Sequence, residues 1–199
     1  EWLIQPALRI DHFRFNYIDA LQATYENQSQ TKSILTPKLN ILYNLGRQTQ
    51  LYAKGGLGFH SNDARVILSE TADDILPAAY GTDLGIIFKP IPKLVANLAL
   101  WYLYLEQEFV YVGDEGVVEP SGRSRRQGLD LSLRFQPTAG LFLYSNINYA
   151  HPRQIDSDEG SDYIPLAPTF TSNGGISYKQ DGWSGGVRYR YLADRPANE

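Results

Sequence analysis

Arg125-Arg126-Gln127-Gly128-Leu129-Asp130-Leu131-Ser132-Leu133-Arg134-Phe135-Gln136 reads with a period of two. Leu129, Leu131, Leu133 and Phe135 fall on odd positions; Arg126, Asp130, Arg134 and Gln136 fall on even ones. Successive side chains of a strand point to opposite faces, so the segment is a strand with one apolar and one charged face. The pattern recurs outward from here. Trp2, Ile4, Leu8 and Ile10 stand against Gln5, Arg9 and Asp11. Leu39, Ile41, Tyr43 and Leu45 stand against Lys38, Asn40 and Asn44, and Leu84, Ile86 and Phe88 against Asp83 and Lys89. Trp183, Val187, Tyr189 and Tyr191 stand against Ser184, Arg188 and Arg190. Between Leu94 and Val112 the odd residues Val95, Ala99, Trp101, Leu103 and Leu105 read as the apolar face. The even residues Tyr102, Tyr104, Glu106 and Glu108 then read as the polar one.

This alternation predicts nine strands: Trp2 to Arg14, Ser33 to Leu45, Thr49 to His60, Tyr80 to Lys89, Leu94 to Val112, Arg125 to Gln136, Gly140 to His151, Pro168 to Lys179 and Trp183 to Leu192. Most have 10 residues or more, against a soluble average of about 5–6. A tilted strand crosses a bilayer in about 9–11. The connections alternate. Gly46–Gln48, Pro90–Lys93, Pro137–Ala139 and Gln180–Gly182 are short, whereas Phe15–Lys32, Ser61–Ala79, Gly113–Ser124 and Pro152–Ala167 each have at least 12 residues. Short turns at one end and long loops at the other mark an outer-membrane barrel. A soluble barrel or sandwich has the same two-faced strands, with the apolar side inward. Strand length and loop asymmetry favour the membrane. Tyr43, Phe88, Phe135, Tyr149, Trp183 and Tyr191, near strand ends, fit interfacial girdles.

Composition narrows the classes. A net charge of −4 disfavours a nucleic-acid partner. Without cysteine there is no disulfide scaffold, thiol nucleophile or Cys-based metal site. No catalytic signature is present: no G-x-S-x-G, H-E-x-x-H, P-loop or dinucleotide fingerprint. The reading is a binding or transport protein, not an enzyme. The chain has no Met, even at position 1. Bacterial barrels close on an even strand number, so nine strands read as a contiguous piece of a larger barrel.

Ala7-Leu8-Arg9-Ile10-Asp11, Thr36-Pro37-Lys38-Leu39, and Leu51-Tyr52-Ala53 leading to Gly58-Phe59-His60 come in an order that resembles the barrel of TonB-dependent outer-membrane receptors. Asp83-Leu84-Gly85, the run Ser124 to Asp130, Ile164-Pro165 through Pro168-Thr169, and Arg195-Pro196-Ala197 extend the likeness over the whole chain. The resemblance implies an all-β, antiparallel transmembrane barrel of about 22 strands, of which residues 1–199 supply part of the C-terminal half. It also implies a plug domain and a TonB-contacting segment outside this chain. The setting implied is the outer membrane of a Gram-negative bacterium, with its lipid and lipopolysaccharide. The activity implied is TonB-coupled uptake of a scarce solute, typically a ferric siderophore. An independent porin-like or adhesin-like barrel and a soluble ligand-binding β-barrel are the alternatives.

Candidate ligand residues sit near the loops. Arg123, Arg125 and Arg126 cluster at a strand end, where guanidinium forks suit a carboxylate, a phosphate or lipopolysaccharide. Tyr102, Tyr104, Glu106 and Glu108 read as facing the lumen. Asp156-Ser157-Asp158-Glu159-Gly160-Ser161-Asp162 spaces Asp156, Asp158 and Asp162 as oxygen ligands for a loop-bound Ca²⁺; otherwise no cofactor is expected. His12, His60 and His151 fall near the long-loop ends of different strands, too far apart around the wall to share a metal.

Overall fold

The computed structural model describes residues 1–18, 27–60, 76–112, 117–120, 122–158 and 160–196. Residues 61–75, Glu159 of the acidic loop and Ala197 of the last family motif lie outside them. Nine long strands form one antiparallel meander: β1 (Trp2–Ile18), β2 (Asn27–Leu45), β3 (Thr49–Phe59), β4 (Ala78–Ile91), β5 (Leu94–Leu105), β8 (Ser124–Thr138), β9 (Leu141–Gln154), β10 (Phe170–Gln180) and β11 (Trp183–Leu192). The sheet order is β1-β2-β3-β4-β5-β8-β9-β10-β11. Among the described residues the short β6 (Phe109–Val112) and β7 (Val117–Pro120) pair only with each other.

Many strand ends shift by one to three residues from the sequence reading, and two regions differ by more. The strand expected over Leu94–Val112 leaves the sheet after Leu105, and its last residues form the β6–β7 hairpin inside the connection expected to be a plain loop. The connection expected over Phe15–Lys32 shortens to 19–26, because β1 and β2 stay paired up to Ile18 and Asn27. Asn27-Gln28-Ser29-Gln30 is polar on both faces and reads as a loop. Above the apolar band both faces of a barrel wall meet water, so polarity there does not end a strand.

The short turns follow local chemistry. Asp181 and Gly182 both have positive φ (54° and 81°), as the two-residue turn whose twist matches a hairpin requires. The ladder shifts register between Phe88 and Ile91 and between Phe135 and Thr138. Pro90 and Pro137 sit inside these bulges and have no N–H for the ladder.

Cross-strand register sorts the side chains onto two faces. One face carries Trp2, Ile4, Leu8 and Ile10 of β1, Leu39, Ile41 and Tyr43 of β2, and Leu84, Ile86 and Phe88 of β4. It continues with Leu98 and Leu100 of β5, Leu129, Leu131, Leu133 and Phe135 of β8, and Val187, Tyr189 and Tyr191 of β11. The other face carries Arg9, Asp11, Lys38, Lys54, Asp83, Asp130, Arg134, Arg188 and Arg190. The charged sheet residues on the apolar face are Arg14, Arg125 and Arg153, all at the long-loop end. The apolar face is uncovered: Trp2 is 65%, Val187 74% and Trp183 77% exposed. In water a continuous apolar wall of this extent would be an aggregation surface, whereas in a bilayer it is the expected exterior. The Trp2 and Tyr43 rings, 4.4 Å apart, lie at the short-turn end as an interfacial pair.

Candidate functional site

The polar face is a connected wall, and most of its bonds run between strands. Tyr52 Oη donates to Asn97 Oδ1 at 3.1 Å across β4. Trp101 Nε1 donates to Asp130 Oδ1 at 3.1 Å, and Asn148 donates to the same carboxylate oxygen. Ser132 Oγ donates to Asn146 Oδ1 at 2.8 Å, and Asn146 Nδ2 to Asn173 Oδ1 at 3.0 Å. These groups tie β3 to β5 and β5 through β10. The Trp101 ring lies over Gly128 on the neighbouring strand, where a Cβ would strike it. Tyr52 lies over Gly85 in the same way.

Above this ladder, towards the long-loop end, Arg126 pairs with Glu108, and Ser124 Oγ donates to the other oxygen of the same carboxylate. Arg126 and Glu108 line a cavity of about 560 Å³ together with Trp101, Asn148, Pro165 and Pro168. Part of the β9–β10 connection closes this cavity over the polar face. Ile164 there is 4% exposed, and Leu166 donates its N–H to Pro196 O at 2.9 Å.

The TonB dependent receptor-like, beta-barrel family matches residues 1–199. The chain belongs to that family. The ferric citrate transporter FecA in its unliganded form is similar over 98% of this chain and 30% of its own, with TM-score 0.75 and 20% identity. The copper transporter OprC is similar over 98% and 33%, with TM-score 0.74 and 17% identity. The ferric-catecholate import receptor Fiu from K12 E. coli is similar over 96% and 32%, with TM-score 0.72 and 14% identity. The chain thus spans about a third of the solved barrels it matches. In a TonB-dependent receptor barrel the apolar face is the exterior and the polar face the lumen, with short turns periplasmic and long loops extracellular. The family is one of transport receptors, not enzymes.

The receptor wall separates the candidate residues that the sequence reading grouped. Register pairs Tyr102 with Gln127 and Tyr104 with Arg125, on the same face as the pair Leu100 and Leu129. Tyr102 and Tyr104 therefore face outward, and Trp101 faces the lumen: the reverse of the parity expected for this strand. Glu106 and Glu108 lie past the strand end, where parity no longer holds, and they part. Glu106 accepts from Tyr80 Oη at 3.2 Å and from the Ala78 N–H at 3.1 Å, on the outward side. Glu108 turns to Arg126 on the luminal side. The arginine cluster also divides. Arg126 is luminal and Arg125 outward. Arg123 Nε lies 3.0 Å from Asp156 Oδ1, and its N–H donates to Asp156 Oδ2 at 2.8 Å.

The acidic loop does not gather its carboxylates. Asp156 is held by Arg123, and Asp162 Oδ2 lies 3.2 Å from Arg153 Nε. Among the described residues no three ligand-type side chains converge as a metal site. Asp156 and Asp162, two of the three carboxylates expected as Ca²⁺ ligands, thus each lie in an arginine pair. The guanidinium of Arg123 holds the Asp156 carboxyl below its ordinary pKa, and Asp156 in turn raises that of Arg123. His12 Nδ1 lies 2.8 Å from Ser33 Oγ on β2, far along the sheet from His151 on β9. The sequence reading missed Trp101 and Asn148 as luminal residues. Asn97, the polar odd residue inside β5, was the available signal.

Proposed function

We propose that this chain is part of the wall of an outer-membrane receptor that takes up a scarce solute by TonB coupling, most readily a ferric siderophore. The observation that carries the reading is the division of the sheet into an uncovered apolar face and a cross-linked polar face, within a family match over residues 1–199. Arg126, Glu108, Trp101 and Asn148 sit on the luminal wall near the extracellular mouth and would contact a solute entering there. Iron and copper cargoes named for the similar barrels show that cargo varies on one scaffold, so loops and mouth residues select it. A plug domain and a TonB-contacting segment belong to the same proposal, as does residence in a Gram-negative outer membrane. The test is radiolabelled iron uptake from a panel of siderophores, in cells with and without the gene and with and without a protonophore. The expected result is uptake of one siderophore that needs both the gene and the proton gradient. Gene-dependent entry of small solutes that ignores the protonophore would instead establish a porin.

A further inference from the structure

Glu108 sits on the β5–β8 connection, yet the wall holds its carboxylate. Ser124 Oγ donates to one of its oxygens and Arg126 Nη2 to the other. Ser124 and Arg126 are two residues apart on β8, so both donors come from one face of one strand. Ser124 is fully buried, and the Glu108 side chain is only 11% exposed. The grip is incomplete. Arg126 Nε is buried and has no hydrogen-bond partner among the described residues. A guanidinium presents its donors as a fork that matches the two oxygens of a planar carboxylate. Glu108 engages one prong of that fork and leaves the other unmet. Buried donors are rarely left so, because nothing then compensates their desolvation. Glu108 is also tied into the base of its own connection. Its N–H donates to Gly122 O at 2.8 Å, and β6 and β7 lie between the two. The cavity of about 560 Å³ opens beside the pair, and Glu108 is its only acidic side chain among the described residues.

We propose that Ser124 and Arg126 form a carboxylate subsite in the mouth, which Glu108 occupies until a carboxylate of the incoming solute displaces it and frees the base of the β6–β7 connection. The inference rests on the proposed uptake of a solute through this mouth, and it names the solute's class: one that carries a free carboxylate. The incoming group gains both prongs of the fork, where Glu108 has one. Glu108 returns to water as the solute's carboxylate leaves it, so the exchange adds no net charge to the cavity.

The test is hydrogen–deuterium exchange of the complete receptor, extracted from its membrane, over peptides spanning 106–123, with succinate as the carboxylate probe. Succinamide, its neutral analogue, and sulfate at equal ionic strength are the controls. A tethered group competes at an effective concentration of roughly mM, so succinate is titrated to about 100 mM. Heat-modifiable migration in SDS gels selects folded samples of the parent, Glu108→Gln and Arg126→Gln. The expected result is that succinate speeds exchange over these peptides about tenfold in the parent. Glu108→Gln should exchange fast without the probe and bind succinate about tenfold more tightly by calorimetry, because the competitor is gone. Arg126→Gln should not bind it. Exchange unmoved by succinate, an equal response to sulfate or succinamide, or unchanged or weaker binding in Glu108→Gln overturns the proposal. Gradient-driven uptake of an iron chelate that lacks a carboxylate would overturn it and leave the transport reading intact. A mouth that responds to succinate in a protein that imports nothing would sink the transport reading alone.

Discussion

Gly128 shows how little room one position has. A Cβ there would meet the Trp101 ring on one strand and the Tyr149 carbonyl on the next. Gly128→Ala must therefore lift the indole off its place and loosen its bond to Asp130. The expected loss is about 1–3 kcal/mol of stability, as for other overpacked sites, read by urea unfolding of the barrel in bilayers. Gly185→Ala is the control, since nothing lies within 4 Å of its Cβ position. Arg123 and Asp156 set a second residue-scale expectation. The folded Asp156 has a depressed pKa because Arg123 donates to it. The pair is therefore complete above the ordinary carboxylate range and is lost as pH falls through the depressed value. Carboxyl chemical shifts should place the Asp156 titration below that of a free aspartate, and Arg123→Gln should return it to the ordinary range. An unshifted titration in the parent protein would mean that the pair does not form in solution.

At the scale of the element, β5 is the strand whose two faces resemble each other most. Leu94-Val95-Ala96-Asn97-Leu98-Ala99-Leu100-Trp101-Tyr102-Leu103-Tyr104-Leu105 is almost uniformly apolar. Counting from Glu106 and Glu108 assigned its parity wrongly, because the strand ends before them. Hydrogen-bonded neighbours decide it: Asn97 meets Ser132, and Leu98 meets Leu131. Leu98→Arg should therefore place a cation in lipid at a cost of roughly 2–4 kcal/mol near the midplane. Asn97→Arg, in the wet lumen, should cost far less. Folding yields into bilayers of the two variants check this, and the reverse order would restore the other parity. The β1–β2 pair makes a related point. Its polar upper turns continue the ladder past the point where apolar alternation stops.

At the scale of the whole molecule, the sheet has two free edges. Among the described residues β1 pairs only with β2, and β11 only with β10. Unpaired backbone groups cannot face hydrocarbon, so in a membrane both edges need further strands. Cysteine pairs offer a clean test, because the chain has no cysteine of its own. Ile4→Cys with Val187→Cys should form no disulfide within one copy, as judged by non-reducing gel mobility of the membrane-folded protein. Ready intramolecular oxidation would mean that the nine strands close on themselves as a small independent barrel.

The sequence by itself determined the strand period, the alternation of short turns and long loops, the family and the charged face of most strands. The period, the turns and the charged faces are local, written in residues two apart or in one turn, and the family is written in the order of short motifs along the chain; none needs a spatial partner to be read. Only the tertiary structure decided the orientation of β5, the β6–β7 hairpin, the parting of Glu106 from Glu108, and the engagement of Asp156 and Asp162 by arginines. Each depends on which residue stands opposite on another strand or loop. Hydrogen-bond register sets that, and no single strand encodes it.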